Sequence, residues 1–430
     1  MKTKVAIFPA GSEIGLEIYQ ALKYSTHFEV YGLSSVPCHA SYVFSKDHYI
    51  EGIPFYTSEN FIEEMNRIIE TYHIAYIYPA YDDVQLYLTE VQDKICAKIV
   101  TSDLETVKIC RSKILTYKFF KDCDFVPKYD CDSEKIHAFP VFVKPDIGQG
   151  AQGTALAYNE QDLDFLVKKN PHVVICEYLP GEEYTVDCLT DDKGKLRVCR
   201  MRSRKRIRSG ISVSSQLLPV PQRIYEIAQE MNHRMKFCGA WFFQMKNNQE
   251  GDFRLLEVAP RIAGTMGMSR NTGVNYPLLT LYCQMGISID MIENSYAISV
   301  DRALMSRYQT DIVYDTVYVD LDDTLIIDGK VNTTLMQYLY QTVNEEKKRI
   351  LLTKHRKDIK ATLAEKKISR TLFDELIQIA PEDEKKYYIT EKNAVFIDDS
   401  FRERKSVSEY CQIPVFDCSE VEALLDWRVK

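Results

Sequence analysis

Two groups of residues in this chain have the types and spacing that chemistry on phosphate needs. In the run VFVKPDIGQGAQG, Val141, Phe142 and Val143 read as a short β-run that puts Lys144 at the strand end. Lys144 then faces a loop in which Gly148, Gly150 and Gly153 let the backbone close on a polyanion. A second run, Val173 to Tyr178, ends in Glu177, Tyr178 and Leu179, whose backbone and carboxylate suit the edge of a base, with Glu183 placed for ribose hydroxyls. The loop fits neither the Walker nor the dinucleotide fingerprint, so the order of parts is the informative feature. The other group follows a strand-like run, Val317 to Val319, where Asp320 and Asp322 stand two apart and share one face. One such carboxylate can attack phosphorus and the other protonate the leaving oxygen, with magnesium offsetting their repulsion.

Further residues extend both groups. In GAWFFQMKNNQEGDFRLLEVAPR, two antiparallel strands are joined by the turn NNQEGD, and Gln244 and Glu257 lie at matched distances from it, side by side. Both offer oxygen, as a hard cation requires. The run RMRSRKRIR places Arg200, Arg202, Arg204, Arg206 and Arg208 at period two; as one strand it would crowd five cations on one face and demand an anionic partner. Arg204 and Arg206 are the candidates for phosphate or substrate, although a solvated edge strand or an RNA-binding patch accounts for the same pattern. Farther on, RILLTKH ends a second apolar strand at Thr353, and AVFIDDSFRER ends a third at Asp398 and Asp399. Three such strands put their polar ends at one edge of a parallel sheet, where α/β folds bind ligands.

The elements that must position these residues read as an α/β and α+β chain. KVAIF, FEVYGLS, AYIYPAY and AKIVTS are strand candidates, with helices at LEIYQALKYS and at Asn60 to Thr71. They form a Rossmann-like domain over 1–103, in which Gly11 and Gly15 permit a tight turn and close helix packing. LETVKICRSKILTYKFFKDCDFVPKY reads as a helical pattern ended by Pro127. A nucleotide-binding domain spans 104–300, a linker 301–314, and a doubly wound α/β domain 315–430. The short stretch from Thr324 to Thr353 leaves no room there for a large cap.

The order strand-Lys-Pro, glycine loop, strand-Glu-Tyr-Leu and GEEYTVD resembles the ATP-grasp carboxylate–amine ligases similar to carbamoyl-phosphate synthetase, over roughly the first 290 residues. The resemblance implies ATP at Lys144, the three glycines, Glu177, Tyr178, Leu179 and Glu183, with Lys113 directed at the phosphates. It makes Gln244 and Glu257 the Mg2+ ligands, with Mn2+ as a substitute, Arg261 a stabiliser of the transferred phosphate, Asn271 and Asn275 neighbours of the substrate, and Asp82 and Asp83 candidate contacts. Where many of these ligases read Glu-Ile-Asn-Pro-Arg, this chain reads Glu257, Val258, Ala259, Pro260, Arg261, so the usual asparagine ligand is missing. DLDDT, LLT and FIDD together resemble the haloacid-dehalogenase-like phosphatases. That resemblance makes Asp320 the nucleophile, Asp322 the general acid, Thr324 and Thr353 phosphate contacts and Asp398, supported by Asp399, the metal ligand. Lys385, with Lys386 close behind, takes the family's lysine.

The expectation is a bifunctional enzyme: an ATP-dependent ligase of a small-molecule carboxylate and an amine, fused to a phosphatase acting on a phosphorylated small molecule. Two alternatives stay open, a kinase paired with a phosphatase and a nucleotide-sensing module that regulates the phosphatase. A length of 430 residues with 45% hydrophobic and 27% charged residues fits two or three globular domains. The net charge of −8 argues against general nucleic-acid or membrane-surface binding. Twelve cysteines without a CxxC pair, no apolar run of bilayer length and no signal-peptide core suggest a cytoplasmic protein. A homodimer is neither required nor excluded.

Overall fold

The computed structural model describes residues 2–208 and 210–428. The chain divides into two compact units, residues 1–304 and 305–428.

The first unit opens with strands β1 (Thr3–Phe8), β2 (Phe28–Ser34), β3 (Tyr49–Glu51), β4 (Tyr76–Pro79) and β5 (Lys98–Ile99), paired in parallel in the order β3-β2-β1-β4-β5. Their runs are apolar on both faces because the sheet is covered on both sides, by helix Glu13–Leu22 and by helix Phe61–Tyr72. Strand order reverses between β1 and β4. There Ser12 caps helix Glu13–Leu22 by accepting from the Gly15 N–H at 2.9 Å, and its hydroxyl donates to the Ala80 carbonyl at 2.9 Å. Gly15 is required by that closeness: a Cβ would stand 2.7 Å from the carbonyl oxygens of Pro9 and Ala10.

The helical pattern expected to run to Pro127 is two helices, Leu104–Arg111 and Lys113–Phe119. Ser112 is extended between them and caps the second through the Leu115 N–H, while Asp146 accepts from Ile114 N at 2.8 Å and from the Ser112 hydroxyl at 2.7 Å. That break turns Lys113 toward the following sheet. This sheet is antiparallel, with β6 (Tyr129–Asp130), β7 (Val141–Pro145), β8 (Ala155–Ala157) and β9 (Val173–Glu177) in the order β6-β9-β7-β8.

A larger antiparallel sheet follows: β10 (Glu183–Thr190), β11 (Leu196–Ser203), β12 (Arg206–Arg208), β13 (Ile211–Leu218), β14 (Gly239–Asn247), β15 (Phe253–Ala259) and β16 (Ser299–Asp301). Its order is β12-β13-β11-β10-β14-β15, with β16 on β13. Val186, Cys188, Met201, Trp241, Phe243 and Met245 alternate onto one face and pack on Ile224, Ile227, Ala228 and Met231 of helix Gln222–Arg234. Period two then sends Thr185, Arg202, Gln244 and Glu257 to the opposite face. The arginine run is not one strand. It stops at Ser203 and resumes at Arg206 as β12, which pairs with β13 on the side of that strand away from β11.

The second unit is a parallel sheet of β17 (Thr316–Val319), β20 (Lys348–Thr353), β21 (Glu375–Gln378), β22 (Ala394–Ile397) and β23 (Val415–Phe416), in the order β21-β20-β17-β22-β23. Helices Thr333–Asn344 and Phe401–Cys411 contribute Leu335, Leu339 and Val407 to its cores. A small hairpin, β18 (Ile326–Ile327) with β19 (Lys330–Val331), follows β17. Its turn residues Asp328 and Gly329 both take positive φ, as a two-residue hairpin demands.

Candidate active sites

In the first unit, a cavity of about 370 Å³ is walled by the ends of β7 and β9, the glycine loop and the β14–β15 pair. Lys113, Lys144, Gly148, Gly150, Glu177, Tyr178, Leu179, Glu183, Arg204, Gln244 and Glu257 all line it. Lys144 is buried, and its ammonium donates to the Tyr117 hydroxyl at 2.6 Å and the Leu256 carbonyl at 3.2 Å. That carbonyl is available because the β14–β15 register jumps from Gln244↔Glu257 to Met245↔Leu255, leaving Leu256 as the extra residue of a bulge. Burial, aided by neighbouring Lys144, holds the Lys113 ammonium below its ordinary pKa, against the pull of Glu257. Gln244 donates to Glu257 at 2.7 Å, as the cross-strand pairing anticipates. The amide oxygen of Gln244 and the second carboxylate oxygen of Glu257 remain for a hard cation; Ala259, two residues on, adds none.

Several candidates stand elsewhere. Gly153 is not on the cavity wall; at φ +71°, with Pro145 Cγ 3.0 Å from where its Cβ would be, it closes the loop. Arg206 is exposed and bound to Asp301 at 2.8 Å, because the chain kinks after Ser203 and carries it to the β12–β13 edge. Asn271 is exposed at the end of helix Gly267–Arg270 and donates to the Gly267 carbonyl at 2.8 Å, while Asn275 caps helix Tyr276–Gln284. The arginines also find their anions within the chain. Arg200 binds Glu293 at 2.5 Å, Arg202 binds Asp187 at 2.8 Å and Arg204 binds Glu183 at 2.6 Å.

A second cleft, of about 420 Å³, shares Lys113, Gln244, Glu257 and Arg204 with the first cavity and continues to Ser12, Glu13 and Asp82, at the strand-order reversal of the parallel sheet. Arg261 lines it, gripped by both Asp82 oxygens at 2.6 and 2.8 Å and stacked 5.2 Å from the Phe242 ring centroid. Burial opposes both charges, but the pairing prevails: Asp82 is held below and Arg261 above its ordinary value. Asp83 pairs with Arg111 at 2.7 Å.

In the second unit the polar residues gather at the carboxyl edge of the parallel sheet. The Lys385 ammonium lies 2.6 Å from Asp320 and 2.6 Å from Asp398, all three buried. Asp320, Asp398 and Asp399 bring one oxygen each within 4.8 Å of one another, a donor set suited to magnesium. Burial, reinforced by Asp398 and opposed by Lys385, raises Asp320 to about 6. Burial raises Asp398 as well, while the two carboxylates outweigh burial at Lys385 and lift its pKa. Thr353 is buried and accepts from the His355 N–H at 3.1 Å. Thr324, expected on phosphate, is buried and engaged by Asp399, whose N–H it meets at 2.9 Å and whose carboxylate at 3.2 Å, so it holds the Asp399 side chain in place. Lys386 turns away to pair with Glu384.

The sequence reading passed over His355. Its Nδ1 meets the Asp322 carboxylate at 2.9 Å and its Nε2 meets the Thr362 hydroxyl at 2.7 Å. The only signal was its place two residues beyond the end of β20, at the sheet edge where the aspartates lie.

Residues 169–310 match a family described as ATP-grasp in the biosynthetic pathway with Ter operon. The D-alanine–D-alanine ligase of Thermotoga petrophila is 26% identical over 129 residues, 28% of this chain and 43% of that protein, so the chain spans less than half the length of this curated relative. Among solved structures, the biotin carboxylase domain of Hydrogenobacter thermophilus 2-oxoglutarate carboxylase, a dimer in complex with MgADP and bicarbonate, superposes with a TM-score of 0.55 at 14% identity, over 67% of this chain and 71% of that one. Campylobacter jejuni biotin carboxylase gives 0.55 at 15% identity, over 67% and 72%. N5-carboxyaminoimidazole ribonucleotide synthetase of Thermotoga maritima gives 0.52 at 18%, over 70% and 80%. No helix among the described residues is long and apolar enough to cross a membrane. From the cavity, the sheets that wall it and these likenesses together, the chain carries an ATP-grasp fold.

Proposed function

We propose that the first unit is an ATP-dependent carboxylate–amine ligase and the second a phosphatase with an aspartate nucleophile. The ligase reading rests on one arrangement: a buried lysine, a glycine loop and the Gln244–Glu257 pair wall a single cavity, and the cleft of Arg261 shares that pair. ATP fits this enclosure, with adenine at Glu177 to Leu179, ribose at Glu183 and phosphates at Lys144, Lys113 and the loop. Mg2+, held by Gln244 and Glu257 with water completing its shell, would neutralise phosphate charge. A substrate carboxylate oxygen attacks the γ-phosphorus and the bond to the β-phosphate oxygen breaks, releasing ADP. The amine nitrogen then attacks the acyl carbon of the acyl phosphate, and inorganic phosphate leaves. Arg261, oriented by Asp82, stabilises the charge on the transferred group. The family that residues 169–310 match belongs to a biosynthetic pathway, which accords with bond formation.

In the second unit Asp320 attacks the ester phosphorus and Asp322 gives its proton to the leaving oxygen. Water then cleaves the aspartyl phosphate. Lys385 offsets the charge of Asp320 and Asp398, and a magnesium ion at Asp320, Asp398 and Asp399 would lower the repulsion met by the incoming phosphate. The nucleotide-sensing alternative draws on Ala259 alone, which withholds a metal ligand. The deciding assay follows ADP from Asp320→Asn protein with pooled acids and amines, using Glu257→Ala as the blank. ADP that requires both an acid and an amine supports the ligase; bound ATP without ADP from any pool sinks it in favour of sensing.

A further inference from the structure

Among the described residues, the wall of the cleft beside the nucleotide cavity includes a buried arginine N–H, on Arg202, that has no partner. Across its sheet wall the register aligns Arg202 on β11, Thr185 on β10, Gln244 on β14 and Glu257 on β15 in a single row. Strands lie about 4.8 Å apart, so the Arg202 backbone stands about 10 Å from that of Gln244. The Arg202 side chain is 2% exposed and gives Nε and Nη2 to Asp187 at 2.8 and 3.2 Å. Its Nη1 is buried, with no hydrogen-bond partner among the described residues. Yet Arg202 belongs to the cleft wall. Other cations of that wall are matched: Arg261 by Asp82, Arg111 by Asp83, Arg302 by Glu13 at 2.8 Å. A buried guanidinium N–H left unpaired is costly, and the Asp187 clamp fixes this one in direction, so it is pre-organised for an anion.

We propose that the acid substrate of the ligase carries a second anionic group, a carboxylate or a phosphate, that docks on Arg202 Nη1 while the reacting carboxylate lies beside Gln244 and Glu257. This rests on the ligase reading. The row sets the upper limit: Arg202 and Gln244 stand two strand spacings apart and the Arg202 side chain leans toward Asp187 on the strand between them, so the two anionic groups are separated by no more than about 10 Å, within the span of a small molecule.

The test uses full-length Asp320→Asn protein, so that phosphate esters survive, saturated with a non-hydrolysable ATP analogue and Mg2+. Calorimetry then compares matched acids, glutarate against butyrate and O-phosphoserine against serine. The expected result is binding of at least one two-anion acid ten-fold or more tighter than its one-anion partner, and the pair that shows it identifies the group as carboxylate or phosphate. An Arg202→Gln, Asp187→Asn double variant exchanges the ion pair for an amide pair, so that no buried charge is left alone, and is expected to erase that preference. Equal binding of both members of each pair, or a preference that survives in the folded double variant, overturns the proposal. Failure of the ATP analogue itself to bind overturns the ligase reading and the proposal with it.

Discussion

Replacing Asp320 by Asn should make the second unit more stable, not less, in the absence of divalent metal at pH 8. Asp320 is buried beside Asp398, with one lysine for two carboxylates, and its pKa is raised from 3.8 to about 6. The folded state therefore holds the Asp320 proton more tightly than the unfolded state does. The stabilisation this gives is complete below pH 3.8 and is lost as pH rises through about 6. A shift of about 2 units, at 1.36 kcal/mol each, costs the ionised native unit about 3 kcal/mol, which the neutral amide avoids. The assay is hydrogen exchange of β17 and β22 in the full-length protein with EDTA. At pH 8, after correction for intrinsic rates, those amides should exchange about 100-fold more slowly in Asp320→Asn than in wild type. Near pH 4 the difference should vanish, and Mg2+ should protect wild type and not the variant. A variant exchanging as fast as wild type at pH 8, or a difference independent of pH, refutes the reasoning.

Three other outcomes follow from the geometry. Tyr117→Phe removes a hydroxyl that accepts from Lys144 and donates to the Leu256 carbonyl at 3.0 Å; loss of a hydrogen bond to a charged group should cost about 1.5–3 kcal/mol in unfolding free energy and weaken ATP binding, read by denaturant titration and calorimetry. Ala259→Asn, which restores an oxygen donor beside Glu257, should lower the Mg2+ concentration needed for half-maximal ADP formation, with unchanged Mg2+ dependence as the contrary result. His355→Asn frees an Asp322 side chain that is 53% exposed and pinned by the imidazole; hydrolysis of an alkyl phosphate should fall at least ten-fold while that of p-nitrophenyl phosphate, whose leaving group needs no proton, changes little.

The residues that could be read from the sequence are those whose partners are fixed by local periodicity. Gln244 and Glu257 are legible as neighbours because the short turn brings their strands together, although the bulge at Leu256 is what sets them directly opposite, and Asp320 falls at a sheet edge because an apolar strand ends there. The mixed α/β character and the glycine-loop arrangement followed in the same way. What the sequence hid depends on distant partners. Arg202 reads as a free cation until Asp187 is folded against it from a neighbouring strand, and Arg200 until Glu293 arrives from far along the chain. The kink after Ser203 has no glycine or proline to mark it, so the five-arginine face looked continuous. Asn271 was expected near the substrate because its sequence context resembles a substrate-side helix start; its amide donates to the Gly267 carbonyl, a contact no local pattern announces. His355 was missed since a lone histidine after a strand carries no pattern; its meaning lies in Asp322, a residue distant in sequence.

In the proposed ligase, ATP activates a carboxylate as an acyl phosphate. The most direct test supplies the acid that best stimulates ADP formation with 18O in its carboxylate, uses Asp320→Asn protein, and measures label in the released inorganic phosphate by mass spectrometry. An acyl-phosphate route transfers one 18O to phosphate for each ADP formed. Phosphate whose fourth oxygen comes from water, or a stable phosphorylated product with no phosphate released, would contradict it.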